Sequence, residues 1–506
     1  MEKTKAQNTH HTTAQKDRVP VFQKAIYSIG GLVNSFQAAA LGSLVIVLNL
    51  GLGVNPALVG LMGMIPRIFD AVSDPVTGYI SDNIRTRWGR RRPVILLGAI
   101  VGGVFFTLMF QLHKGHSQSF YFLYFTGLQC LFFLGFTCFS IPWIALGYEM
   151  TPDYHERTRL QGVSNFVAQF AWVIAPWLFK IISNENMFTD IVHGARVISL
   201  GIGAFLVAGG ILPAIFNKEH FSDLPKPERG KGFWNVTKDF FSGFAVTFKN
   251  RPFVKICAAT FLVFNGFMLA SAFSAYVIFF YVYGGDYSKG GTLLGWFGTL
   301  SSICTFCVIF FTTWLSTKIG KRRTFLVTIS ISIIGYALKW IGYNPDHPYL
   351  LLIAAPFIAF GLGSLFTLMS SMVADVCDLD ELYTSTRREG MFGAVYWWMV
   401  KLGLAISSLI SGLLLNASGF RVELGANQTA RTLLNMRLFD IGIPIVASLA
   451  AIFIIMTFSI TEDKAYHIRA QVERRREERR REERRREARR EEERRHAERR
   501  HKEDQD

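Results

Sequence analysis

Apolar residues in this 506-residue chain fall in long unbroken runs rather than in the i, i+3, i+4 stripes of a soluble helix. Runs of about 18 or more such residues read as membrane-spanning helices. The pattern predicts twelve spans, at 22–50, 57–81, 93–112, 119–146, 159–183, 194–216, 253–283, 291–316, 323–342, 349–373, 390–415 and 434–460. Each is long enough to cross roughly 30 Å of hydrocarbon with some tilt. They divide six and six around a polar connector. The expectation is an all-α membrane protein: an N-terminal tail (1–20), a six-helix bundle (21–216), a connector (217–252), a second six-helix bundle (253–460) and a charged C-terminal helix (461–506).

The polar positions between spans orient the chain. The loop after span 2 carries Arg85, Arg87, Arg90, Arg91 and Arg92, and the loop after span 8 carries Lys318, Lys321, Arg322 and Arg323. The connector is basic as well, whereas GLGVNP and NPDHP on the other side have almost no positive charge. Positive loops stay inside, which predicts a multi-pass protein of the cell (inner) membrane with both termini cytoplasmic. The loops also echo between halves. SDNIRTRWGRRRP answers STKIGKRRT, and GYEMTPDYHERTRLQG answers ADVCDLDELYTSTRREG. Such duplication fits a two-bundle transporter with its site between the bundles near the midplane.

Composition changes this picture little. Half the residues are hydrophobic and 45 are Phe. The net charge of +16 would suggest nucleic acid in a soluble protein, but here it sits in alternate loops and the tail, so no nucleic-acid partner is expected. Cys130, Cys138, Cys304 and Cys307 lie in apolar segments, and the C-x-x-C at 304–307 has no redox or zinc context. The polar stretch 1–20 lacks the apolar core of a secretory signal, so span 1 is expected to remain as an anchor. From Glu473 to Arg500 the chain repeats blocks such as RRREE with no apolar seam. Opposite charges at i,i+4 contribute about 0.2–0.5 kcal/mol per pair to an isolated helix, so a solvated single helix touching anionic headgroups is expected there. No catalytic triad, phosphate loop or spaced His cluster appears; neither enzymatic activity nor a cofactor is expected.

The chemistry concentrates in span 2. Asp70 and Asp74 are four apart and share a helix face. Two carboxylates in a low-dielectric cavity repel when both are ionised, and a bound cation or proton relieves that repulsion. Ser73 adds a hydroxyl, and Thr137 on span 4 is a candidate further ligand. The alternative is a structural set in which Arg67 neutralises one aspartate. Lys401 lies about eleven residues into span 11, where pairing with Asp70 or Asp74 competes with snorkelling to an interface.

FDAVSDPVTGYISDNIRTRWGRRRP resembles the signature of the glycoside–pentoside–hexuronide (GPH):cation symporters of the major facilitator superfamily, typified by the melibiose carrier. The likeness covers nearly all of 22–460. It implies a major facilitator fold and a coupling cation, Na⁺ or H⁺, held by Asp70, Ser73, Asp74 and Thr137, Ser73 standing where the melibiose carrier has asparagine. Lys401 matches a membrane lysine near the sugar and cation sites. Gly78 and Asp82 fit the superfamily's G-x-x-x-D motif, implying a gate with Arg90 among the loop arginines; interfacial solvation of Asp82 is the alternative. Asp153, Glu156, Arg157, Asp375, Asp378, Glu381, Arg387 and Glu389 match loop charges that pair between bundles, which implies pairs that lock the outward-facing state and break on inward opening.

Departures bear on the solute. The melibiose carrier holds its galactoside with aspartates in spans 1 and 4, where this chain has Asn34 and Ser140, and an arginine of span 5 is Asn165. Neutral groups bond sugar hydroxyls more weakly than carboxylates do. Asn34, Gln37, Ser140, Trp143, Asn165, Tyr396, Trp397 and Lys401 are the expected pocket for a sugar, glycoside or similar small polar solute. The expected function is cation-coupled symport by a monomer. The alternatives are carriage of a lipid or other amphiphile on the same fold, and a non-transporting scaffold or sensor acting through its tail.

Overall fold

The protein is described by a computed structural model covering residues 15, 18–84, 86–151, 153–219, 247–384 and 388–503. Twelve helices in it are long and apolar enough to cross a membrane. In the first bundle these are α1 (Val21–Leu50, interrupted at Val45), α2 (Pro56–Asn83), α3 (Arg92–Met109), α4 (Gln118–Glu149), α5 (Tyr154–Ile182) and α6 (Ile191–Phe216). The second holds α7 (Arg251–Val282), α8 (Tyr287–Ile319), α9 (Lys321–Gly342), α10 (Pro348–Thr384), α11 (Glu389–Ala417) and α12 (Ala430–Met456). A thirteenth helix, α13 (Glu462–Glu503), follows. The last six residues of α7 are a π-helix, Val277–Val282.

Helix ends obey caps rather than hydropathy. Asn55, Ser117, Asp153, Asp190, Asn250, Asp286 and Thr429 each accept a backbone N–H of the helix they start, satisfying one of its orphan donors. α10 runs to Thr384, well past the apolar run, so VADVCDLDELY is helical where the hydropathy suggested a loop. The start of α1 and the end of α12 lie at one face of the two bundles, called here the terminal face.

The bundles join at the other face. Tyr276 donates to Asn49 Oδ1 (3.0 Å), Asn416 to Asn55 Oδ1 (2.8 Å), Trp177 to Thr299 (2.8 Å) and Lys180 to Ser288 (2.7 Å). One apolar core runs across the seam there, bringing Leu48, Met62 and Phe179 together with Tyr276, Phe279, Leu415 and Phe420. Backbones touch where side chains vanish: a Cβ on Gly412 would lie 2.2 Å from the Pro56 carbonyl oxygen. Small residues permit such approach in membrane helix pairs. Towards the terminal face the second bundle has a core of its own, from Phe253 and Ile256 to Met372 and Tyr396.

That second core also contains Ile468 and Val472 of α13. The tail is a helix, as expected, but its root does not stand free in solvent. Two apolar residues at i,i+4 give the charged helix a short buried stripe, and Arg475 donates to the Leu382 carbonyl (2.5 Å) in the last turn of α10.

Candidate functional site

Asp70 and Asp74 sit one turn apart on α2 between two helix-interior prolines, Pro66 and Pro75. A proline ring removes an N–H from the ladder and crowds the carbonyl four residues back, so Pro66 loosens the turn before the aspartates and Pro75, opposite the Ala71 carbonyl, loosens the turn that bears them. The Thr137 hydroxyl on α4 lies 2.6 Å from Asp70 Oδ1 and 3.2 Å from Asp74 Oδ1. Lys401 on α11, from the second bundle, donates to Asp70 Oδ2 at 2.9 Å and also to Asp74 Oδ2. Five oxygens and one ammonium thus meet across the seam. The side chain of Asp70 is 7 % exposed, whereas Asp74 (27 %) and Lys401 (31 %) open to the space between the bundles.

Two expectations about this cluster change. Ser73 is adjacent but turns its hydroxyl back onto its own helix, donating to the Asp70 backbone carbonyl at 3.0 Å. Arg67 does not neutralise an aspartate through a direct pair: among the described residues it forms no ion pair, and its guanidinium stands 5.7 Å from the Phe133 ring centre. Lys401 takes that role for both carboxylates at once, and so pairs rather than snorkels.

The expected solute pocket is only partly assembled. Asn34 and Ser140 are half-buried, Asn165 is exposed on α5, and Trp397 is 53 % exposed with its ring stacked on Phe366 at 5.7 Å. The other three belong to bundle cores. Trp143 stacks on Tyr27 at 4.8 Å and donates its indole N–H to the Tyr27 carbonyl. Tyr396 is buried against Thr260, and Gln37 is 1 % exposed beside Gly102. The aromatic wall shrinks to Trp397, because the indole and phenol faces of the other two are already covered.

The expected gate charges also take partners within their own halves. Arg90 and Arg91 both reach Glu149, Glu156 holds Lys24 (2.6 Å), and Asp153 caps α5. Arg157 donates to the Thr151 carbonyl (3.2 Å). In the second half Asp375 holds Lys321 (2.7 Å) and Glu381 accepts from Arg476 in a fork (2.7 and 2.5 Å). Asp378 and Glu389 lie on the adjoining turns of α10 and α11. Gly78 lies on α2 facing Ile141; Arg387 and the side chain of Asp82 fall outside the described residues. The interbundle lock expected of these charges is not formed by the pairs named here.

Three features were missed. Glu219, at the start of the connector, accepts the backbone N–H groups of Arg90, Arg91 and Arg92 (2.9, 2.8 and 3.0 Å) and so caps α3. Glu149, which binds both loop arginines, ends α4. Deep in the second bundle, Lys339 of α9 pairs with Asp440 of α12 (2.6 Å), with Ser274 and Tyr343 donating to the same carboxylate (3.0 and 2.7 Å). The lone charges in spans 9 and 12 were the available signal.

With this geometry in place, the relatives can be compared. Residues 28–462 match the family described as MFS/sugar transport protein. The chain belongs to that family. Within it, the named relatives put it with the GPH:cation symporters. It is 25 % identical over 462 aligned residues to the glucuronide carrier protein homolog of Escherichia coli (89 % of this chain, 95 % of the relative). It is 23 % identical to the isoprimeverose transporter of Lactiplantibacillus pentosus (85 % and 87 %), and 22 % identical to the sodium-dependent lysophosphatidylcholine symporter 1-B of Danio rerio (91 % of each). Its fold is similar to the crystal structure of a D-xylose–proton symporter, with a TM-score of 0.60, 15 % identity and coverage of 87 % and 98 %. This is a membrane transporter with the major facilitator fold.

Proposed function

We propose that this protein is a symporter that carries a sugar or similar small polar solute together with Na⁺ or H⁺. The observation that carries the reading is the convergence of Asp70, Asp74 and Thr137 on an ammonium group supplied by the opposite bundle. Lys401 occupies the position a coupling cation would take. Two carboxylates and a hydroxyl suit a monovalent ion, and among the described residues no three or more His, Cys, Asp or Glu side chains are placed to hold a metal ion together. Entry of the ion displaces the ammonium from at least one aspartate and changes what ties α2 to α11. Ion and solute then strengthen each other's binding by thermodynamic reciprocity. The basic loops support a cytoplasmic terminal face, and bundles joined at the far face then fit a state open to the inside.

The solute is expected to lie beside Asn34, Ser140, Asn165 and Trp397, within reach of Lys401. Substitution of Asp70 or Asp74 by Cys should abolish cation-dependent uptake while leaving a folded, monodisperse protein. Undiminished accumulation against a gradient in both variants would sink the proposal. The named likeness to a lysophosphatidylcholine symporter keeps an amphiphile as the second reading, also favoured by the loss of carboxylates at 34 and 140. A binding screen of sugars and lysophospholipids, with and without Na⁺ and across pH, separates the two.

A further inference from the structure

The root of α13 lies beyond the residues matched by the family and is nonetheless built into the second bundle. Ile468 and Val472 are 5 % and 4 % exposed in that bundle's core. One turn on, Arg475 binds a terminal carbonyl of α10, and Arg476 binds Glu381 through both Nε and Nη2. A bidentate guanidinium–carboxylate pair is directional as well as charged. Its surroundings are acidic, because Asp378 and Glu389 also lie near enough to act on Arg476. In the last turns of α10 and the first of α11, Arg388 holds Asp380 (2.6 Å), while Asp378, Glu381 and Glu389 form the acidic part of the rim that α13 supplies with positive charge from its own side.

The facing rim of the first bundle carries both signs, Glu156 being held by Lys24 at 2.6 Å and only loosely, at 3.5 Å, by Arg159. Arg159, at the start of α5, has a side chain 62 % exposed. Closing the terminal face brings this rim towards the acidic ends of α10 and α11, since α2 packs on α11 and α5 on α8 across the seam. The two sources of positive charge then compete for one set of carboxylates.

We propose that the root of α13 is a latch, in which Arg476 occupies Glu381 and so withholds it from closure of the terminal face, weighting the protein towards the state open on that side. The proposal rests on the reading above only in taking the bundles to rock between two states; it needs neither the solute nor the ion.

The test is a distance measurement on the full-length protein in nanodiscs, with spin labels carried by non-canonical amino acids at Gly162, exposed with open space around it, and Lys318. These positions lie on α5 and α8 at the terminal face. Arg476→Glu should raise the ratio of the short, closed distance to the long one by about two- to fivefold, the range for a partly exposed ion pair. Arg476→Gln should move it the same way by less, which guards against misfolding of the charge reversal. The exchange Arg476→Glu with Glu381→Arg should return the ratio towards that of the unsubstituted protein. Identical distributions in the unsubstituted, Glu and Gln proteins would overturn the latch, and so would an exchange variant that keeps the full shift of Arg476→Glu. Loss of uptake in Asp70 or Asp74 variants bears on the transport reading alone, so the two can fail separately.

Discussion

At the scale of single residues, the membrane interior holds two ionic clusters of different character. Asp74 and Lys401 are partly exposed, Asp70 is buried beside them, and the three straddle the seam. Lys339 and Asp440 are 1 % and 0 % exposed, lie within one bundle, and have Ser274 and Tyr343 completing the hydrogen bonds of the carboxylate. Breaking such a pair by removing one partner leaves an uncompensated buried charge and costs about 3–5 kcal/mol, whereas replacing both with apolar groups of similar size is often near neutral. Asp440→Leu alone should therefore lower the thermal midpoint sharply, and Lys339→Met with Asp440→Leu should recover most of it, read by melting in detergent. A double variant as unstable as the single one would show that the pair does more than compensate itself. The first cluster was legible in the sequence because its two acids are four residues apart. The second was not, because its members are 101 positions apart and each looks like an isolated charge in an apolar run.

At the scale of elements, the twelve spans were legible because a bilayer demands about 20 apolar residues and little else matches that length. Their ends were not, since capping residues rather than hydropathy stop a helix, and α10 accordingly continues through acidic residues to Thr384. α13 shows the same limit more sharply. Its charged repeat announces a helix, but two apolar residues, Ile468 and Val472, decide where its root lies, and two residues are too few to stand out in the sequence. This matters for truncation. A chain ending after Glu478 keeps the docked root and should retain full uptake if the protein is a transporter; a scaffold acting through the distal tail should lose its function. A chain ending at Thr461 also strips the two anchors from the core. Burial of such side chains contributes about 1.5–3 kcal/mol each, so a lower melting temperature is expected for that chain irrespective of function. Equal melting of the two truncated proteins would mean that the root adds nothing to the bundle.

At the scale of the whole molecule, the two bundles are fastened at the face opposite the terminal one by side-chain hydrogen bonds and a shared apolar core, with Lys401 as a link at mid-depth. The duplicated loops foretold two halves. Which end is shut could not be read from them, because the loop charges found partners in their own half or in α13. Mid-depth charge has an electrical consequence. At mid-depth Arg67, Asp70, Asp74 and Lys401 sum to zero, and the pair Lys339–Asp440 adds nothing, so in the proposed cycle the empty site crosses as a neutral group. One monovalent ion bound there, as proposed, would make the loaded site +1. A charge crossing the full membrane field gains about 2.3 kcal/mol per 100 mV, so a negative interior drives the loaded step and leaves the empty return indifferent to voltage. Charge movement in proteoliposomes should thus appear only when both ion and solute are supplied. Neutralising Lys401 with Gln would leave the empty site at −1 and shift the voltage sensitivity to the return stroke. The lysine that bridges the two aspartates thereby decides which half of the cycle the membrane potential works on.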